Sequence, residues 1–573
     1  MQRHPSAGEL RVLSALVPRP PRLHDEDRAG RRPAKIGAAP QVPCGPEDGA
    51  PKSSEVFSAL PPRPPCLRGE YHASPYRRGL IALGAAVLSV LLGGCRVGPK
   101  YTTPATPAPP SFKESAPAAY RSAPPGTWQP ARPQDAVLKG KWWEMFQEPE
   151  LNALEDQLNI NNQNIAQYFQ NFMAARAQIN EARAGYYPTV SATPSVTRTG
   201  RAAAGGNSLA SNSTGTTGAA PTSGTSITSI TVPVDVSWEP DLFGRIRNTV
   251  REAQYAAQVS AADLENERLS EQAALAEYYF QLRGQDSLQE VYNRTIAADR
   301  ESLNLTRGLV ETGIDSPEDV AQAEVTLAEA EEAGAGVATN RALYEHAIAT
   351  LIGKAASEFS MPVKMLTTPV PPIPVGVPSE LLERRPDIAA AERTMAAANA
   401  QIGIEVAAYY PTVSLTGSGG LAGTTLKSLF SLPALFWSLG TSASELIFDA
   451  GLRKATVSQY TATYNGDVAA YKQTILTAFR QVEDYIATLR VTSDQIVREE
   501  VALGAAQRYL EIATSRYQTG LDPYLNVMTA ELTLLSNQQL QVTLRVNEMT
   551  AAVELVQALG GGWTADQLPT APK

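Results

Sequence analysis

Apolar and polar residues alternate strictly along one stretch of the chain. Ile230, Val232, Val234, Val236 and Trp238 are interleaved with Thr231, Pro233, Asp235, Ser237 and Glu239. A period of two predicts a strand with one apolar face. The pattern then changes. From about 242 to 307, and again from about 451 to 517, Pro is absent and Ala, Glu, Gln and Leu dominate. Some 65 residues at 1.5 Å each make a helix of roughly 100 Å. Unbroken helices of that length predict coiled-coil packing.

The two long stretches belong to an internal repeat. Tyr187-Pro188-Thr189-Val190 returns as Tyr410-Pro411-Thr412-Val413. Further on, Gly244, Gly313 and Gly353 return as Gly451, Gly520 and Gly560, with Glu324 returning as Glu531. Each copy reads in the same order. A first helical stretch (about 150–185 and 379–408) leads into a β-hairpin, then a long helix, a sharp turn at Gly313 or Gly520, and a third helical stretch (about 317–352 and 523–559). The first and third stretches together match the long helix in length, so two shorter helices stacked end to end can lie antiparallel along it. Abundant Ala allows close approach. Residues 200–228 are nearly all Gly, Ser, Thr, Ala and Asn, as expected of a surface loop.

The expected domain order follows. It runs through an N-terminal extension (1–75), a signal peptide (76–94), a Pro-rich tether (95–140), a first repeat (141–353) with hairpin 187–241, a Pro-rich linker (354–378), a second repeat (379–562) with hairpin 410–449, and a tail (563–573). In the signal, Arg77 and Arg78 precede an apolar run from Leu80 to Leu92 and the small residues Gly93 and Gly94. That run is too short to span a bilayer, which takes about 20 residues. No Met lies between Met1 and Cys95, and a signal should begin close to its arginines. The expected start is therefore downstream at a non-Met codon, such as Val56 or Leu67.

Composition narrows the chemistry. Charged residues make up 19% and apolar residues 43%, as in a folded protein. Residues 95–573 contain one Cys (Cys95) and one His (His346), which argues against a zinc site and a disulfide framework. Over the same span 36 Lys and Arg face 50 Asp and Glu, a poor match to nucleic acid. No catalytic residue, metal site or cofactor site is expected.

Each chain supplies four strands, too few for a membrane barrel, which starts at about eight. Open sheet edges are not tolerated in lipid. Several chains must therefore share one barrel if the strands cross a membrane.

Specific motifs carry a resemblance over about 97–562. They are Leu92-Gly93-Gly94-Cys95, Val97-Gly98-Pro99-Lys100-Tyr101, Lys141-Trp142-Trp143, the run VGVPSELLERRPDIAAAE at 375–392, both YYPTV copies, Glu239-Pro240-Asp241-Leu242-Phe243-Gly244, and the turn at 516–531. Residues 92–95 resemble a bacterial lipobox, which implies lipidation at Cys95; Arg96 rather than Asp after it implies outer-membrane sorting. The whole chain resembles an outer-membrane efflux protein of the TolC-like superfamily, in its NodT-type lipoprotein branch. The resemblance implies a mainly α fold with a β-barrel part. In it a homotrimer shares a 12-stranded outer-membrane β-barrel, continued by a long periplasmic α-helical barrel that is closed near the turns. It also implies no catalytic centre, and partners in a periplasmic adaptor and an inner-membrane pump.

The turns are the expected docking surface, through Gly313, Asp315, Ser316, Arg516, Tyr517, Gly520, Asp522 and Tyr524. From the residues alone, Gly313 and Gly520 supply positive φ. Asp315, Ser316 and Asp522 cap the following helices, and Pro317 and Pro523 take first-turn positions. The first turn departs from the resemblance, since Arg307-Gly308 stands near where the second has Arg516-Tyr517. Elsewhere, His346 is expected on a helix surface, Trp142 and Trp143 in packing, and Arg385, Pro386 and Asp387 at a helix start. A lipid-anchored coiled-coil scaffold without a pore is the alternative, but it has no need of paired hairpins.

Overall fold

The computed structural model describes residues 96–105, 109–114, 140–200, 226–373, 378 and 381–562. The chain divides into two units, Met1–Ser74 and Pro75–Lys573, and every described residue lies in the second. The N-terminal extension, the signal peptide, Cys95 and the tail fall outside the described residues.

The repeat is plain in the element lengths. Repeat 1 contains α1 (Pro149–Asn161), α2 (Gln163–Ala184), β1 (Thr189–Ala192), β2 (Ser195–Gly200), β3 (Ser226–Trp238), α3 (Arg245–Glu311) and α4 (Pro317–Leu351). Repeat 2 contains α5 (Pro386–Ala407), β4 (Thr412–Gly423), β5 (Leu435–Ser444), α6 (Leu452–Gln518) and α7 (Tyr524–Ala558). Both long helices have 67 residues, both returning helices 35, and α2 and α5 have 22 each. The first helical stretch of repeat 1 is broken where continuity was expected. Asn162 is extended there, and its side chain accepts the Ile165 N–H at 3.0 Å, which restarts the helix.

Shorter helices lie along the long ones, as the length balance requires. α2, α4, α5 and α7 all pack on α3, and α5 and α7 also pack on α6. Fully buried Ala262, Ala276, Ala396 and Ala552 hold these helices close. The main core lies where α1 and the middle of the long helices meet, around Trp142, Phe146, Leu151, Tyr279, Phe280, Ile388, Val482 and Val556. Trp142 and Trp143 are packing residues, and His346 is exposed on α4. Pro386 opens α5, with Arg385 bonded to Asp387 at 2.7 Å and to the Ala558 carbonyl at 3.0 Å. The linker is clamped too. Buried Arg283 donates to the Pro362 carbonyl at 2.6 Å and pairs with Asp286 at 3.0 Å, which in turn accepts the Lys364 N–H at 2.9 Å.

The segment after Cys95 is less free than a tether. Arg96 bonds Asn248 at 2.8 Å and Tyr101 bonds Glu392 at 2.5 Å, while the N–H groups of Lys113 and Glu114 bond Glu483 at 2.6 and 2.8 Å. It is therefore laid against α3, α5 and α6.

The strands form one antiparallel sheet ordered β1-β3-β4-β5, with β2 also on β3. The register places Val190, Val232, Val234, Val236, Trp238, Leu415, Leu421, Leu435, Trp437 and Leu439 on one face. Thr189, Ser191, Asp235, Ser237, Ser414, Thr416, Ser418 and Ser442 share the other. The apolar face is uncovered, with Trp437 76% and Leu439 80% exposed. Pro233 brings no N–H to the ladder, and the neighbouring strand is interrupted beside it. β1 ends opposite Val234, and β2 resumes opposite Thr231.

Candidate functional site

Two features stand out. The first is the sheet. Its outer strands, β1/β2 and β5, have no partner on their outer edges among the described residues. An apolar face of this size is unsuited to water. The second is the pair of turns at the far end of the long helices.

Both turns use one backbone solution. Gly313 (φ 76°) and Gly520 (φ 70°) are left-handed. In each, the glycine N–H and the next N–H reach back to close the helix. Gly313 N bonds Val310 O at 3.0 Å and Ile314 N bonds Leu309 O at 2.9 Å; Gly520 N bonds Tyr517 O at 2.8 Å and Leu521 N bonds Arg516 O at 2.9 Å. This is the Schellman ending. A Cβ added at either glycine meets nothing within 4 Å, and Ile314 and Leu521 beside them are about two-thirds exposed.

The side chains then diverge. Ser316 caps α4 as expected, in a reciprocal box with Asp319, and Pro317 takes the first turn. The second turn corrects the expectation. Pro523, not Asp522, is the N-cap of α7, and no side chain caps it. Asp522 pairs instead with Arg516 at 2.6 Å, which draws its carboxyl below the ordinary range. Asp315 is not a cap either. It accepts the hydroxyl of Tyr517, which also lies 3.1 Å from Thr306 Oγ1. Burial, with the Asp315 carboxylate alongside, raises the Tyr517 hydroxyl well above its usual value.

Tyr517 and Tyr524 are nearly fully buried, with ring centroids 5.5 Å apart, in a small core with Leu303, Ala323, Ala513, Val527 and Ala530. Ser302 Oγ donates to Tyr524 Oη at 3.4 Å, and burial pushes that phenol up to about 12. Arg307 does not stand in for Arg516. It points along the helices and pairs with Glu324 at 2.7 Å. Of the expected residues, Asp315, Tyr517 and Tyr524 come together, Arg516 pairs with Asp522 within the second turn, and Ser316 serves only its own helix. Sequence reasoning missed Ser302, Thr306 and Asp319. Asp319 was readable from its spacing three residues after Ser316. Ser302 and Thr306 gave no signal, since their partners Tyr524 and Tyr517 lie on other helices.

Among the described residues, no group of His, Cys, Asp or Glu is arranged to hold a metal, and no helix is long and apolar enough to cross a membrane. The chain was compared with known proteins. The family described as outer membrane efflux protein matches residues 154–354 and 377–561. The chain is 31% identical over 483 residues to the probable efflux pump outer membrane protein TtgC of Pseudomonas putida, covering 84% of this chain and 95% of that one. It is 30% identical over 503 residues to outer membrane protein OprJ of Pseudomonas aeruginosa, covering 85% and 97%. Its fold is similar to the solved outer-membrane channel OprN, with a TM-score of 0.69 at 27% identity, over 82% of this chain and all of that one.

Proposed function

This chain belongs to the outer membrane efflux protein family, and on that premise we propose that three copies assemble into one passive export duct. The observation that carries this reading is the sheet of four strand positions, one of them shared by β1 and β2, with two edges unpartnered among the described residues and one exposed apolar face. Edges left open in lipid cost several kcal/mol for each unmet backbone group, so copies must close on one another. Two copies give eight strands, whose interior is filled by side chains or holds one small ligand. Three give twelve and a wider barrel, the count we adopt for a duct. The Ser, Thr and Asp235 face then lines that lumen, and the apolar face meets lipid.

The helices continue the duct into the periplasm, and a lipid on Cys95 anchors the strap that runs along α3. The duct has no catalytic step. A periplasmic adaptor and an inner-membrane pump supply energy and couple to the turns, where Ile314 and Leu521 offer apolar contacts beside open glycines. The cargo is small molecules such as drugs. The bond of Tyr517 to Asp315 ties the second turn to the first within one chain, so it favours a closed tip.

The first test is the native mass of the protein extracted in detergent from outer membranes. A three-chain mass is expected. A stable monomer would overturn the shared barrel and favour the lipid-anchored scaffold. The docking reading has its own test. Ile314→Arg with Leu521→Arg should abolish export while the trimer stays in the membrane, because both side chains are about two-thirds exposed and neither sits at a left-handed position. Export that survives both changes excludes docking at these turns.

A further inference from the structure

One pair of acids plays no part in the reading above. Asp299 on α3 is 2% exposed, and neither of its oxygens has a hydrogen-bond partner among the described residues. Glu531 on α7 likewise has an occluded, unpartnered Oε2. Both line the same two cavities of about 180 Å³ each between the helices. A single water needs only some 10–15 Å³ of such space, so each cavity has room for several.

Their position gives them leverage. Asp299 lies one turn from Ser302 on α3, and Glu531 lies two turns from Tyr524 on α7. Asp299 with Glu531, Ser302 with Tyr524, and Thr306 with Tyr517 are successive rungs of one seam that ends at Asp315. The acids are the rung farthest from the turn.

We propose that Asp299 and Glu531 form a proton-operated catch in the helix wall: neutral, they let α3 and α7 close, and ionised, they draw water into the flanking cavities and loosen the seam that holds the second turn.

Among the described residues, the nearby cations are paired with other carboxylates. On α3, Arg294 lines one cavity but is bonded to Glu290 at 2.8 Å, and Arg300 reaches Glu331 of α4 at 2.6 Å. Tyr292 faces the other cavity and accepts from Gln539 of α7 at 2.8 Å. α4 adds the acid Glu329, α6 adds only Leu510 to the lining, and α7 adds Tyr524 two turns away. Two ionised carboxylates here would repel each other in an apolar setting. Burial raises Asp299 to about 6, and burial with the charge of Asp299 raises Glu531 to about 7. Carboxyls held above their ordinary values favour the closed seam at low pH. They oppose it as pH climbs through 6 and 7.

Hydrogen exchange on the full detergent-extracted protein tests this, at pH 5.5 and pH 8, with rates corrected for intrinsic exchange. The amides of residues 524–535 should lose about ten-fold or more of their protection at the higher pH. Those of 395–403 in α5 should not change. In Asp299→Asn with Glu531→Gln, protection should be high at both values. A wild-type chain equally protected at both pH values overturns the proposal, as does a pH dependence that survives in the double variant. If the double variant fails to reach the native mass, Glu531→Gln alone decides. It lies at the less buried position and should lose less protection between the two pH values than the wild type, because only Asp299 still ionises, and a loss equal to the wild type's overturns the proposal.

Discussion

The two turns carry equivalent aspartates that do different things. Asp315 and Asp522 sit at matching places, two residues after their glycines, in turns of the same backbone geometry. Asp315 takes the hydroxyl of Tyr517, and Asp522 takes the guanidinium of Arg516. Both partners come from the end of α6. The matching positions on α3 are Leu309 and Val310, which have nothing polar to offer. Repetition has kept the bend and given the polar grip of both turns to one helix end. The first turn caps its outgoing helix through Ser316 and Asp319, whereas the second has no side-chain cap and is held by its own Arg516–Asp522 pair and by the bond of Tyr517 to Asp315 of the first.

The contrast is breakable at graded cost. Tyr517→Ala should have the largest effect. It removes an aromatic ring from a packed site and leaves Asp315 without its donor, for a loss of about 3–5 kcal/mol in local stability. Hydrogen exchange should show the second turn opening, and single-channel conductance should rise. Tyr517→Phe keeps the ring and removes only the hydroxyl, so about 1–3 kcal/mol is expected, again confined to the seam. If Phe and the wild type open equally, the hydroxyl bond to Asp315 is not what ties the turns.

Ser316→Ala should cost about 1 kcal/mol, read as faster exchange at the start of α4 with the second turn unchanged. A matching loss at α7 would mean that the two turns are one cooperative unit. The smallest effect is expected from Arg516→Ala. That pair is exposed, and its loss should show only as greater motion of residues 519–523. Because Arg516 lowers the Asp522 carboxyl, the pair contributes above the ordinary carboxylate value and fades as pH falls through the lowered one. Acidification below the ordinary range should therefore mimic the variant.

Much of this architecture is legible in the residues. The glycine landmarks fix the repeat because left-handed turns demand them, and all three pairs have positive φ. The long helices follow from the missing prolines, and the sheet faces from a period of two. The second cap was misread because Pro523 looks like Pro317. Aligning Gly313 with Gly520 in fact places Pro523 opposite Ser316, at a cap position where proline has no side-chain acceptor. The seam itself was hidden. Ser302, Thr306, Asp299 and Glu531 acquire meaning only once α3 lies beside α6 and α7, and no local pattern in any of these helices announces the others. The docked strap, residues 96–105 and 109–114, was also unreadable, since proline density speaks of stiffness and not of where a segment is laid.

Pro233 has a consequence for assembly. Sliding one strand past its neighbour by two residues leaves every apolar side chain facing outward, so the alternation that builds the sheet cannot forbid it. Pro233 can. Its ring lies opposite the gap between Ala192 and Ser195 on one side and opposite Gly420 on the other. A slipped strand would set a carbonyl against a residue with no proton to give, in a setting without water to make up the loss. One ring closure thus acts as a proofreader, rejecting misaligned hairpins before they can be sealed into a shared wall.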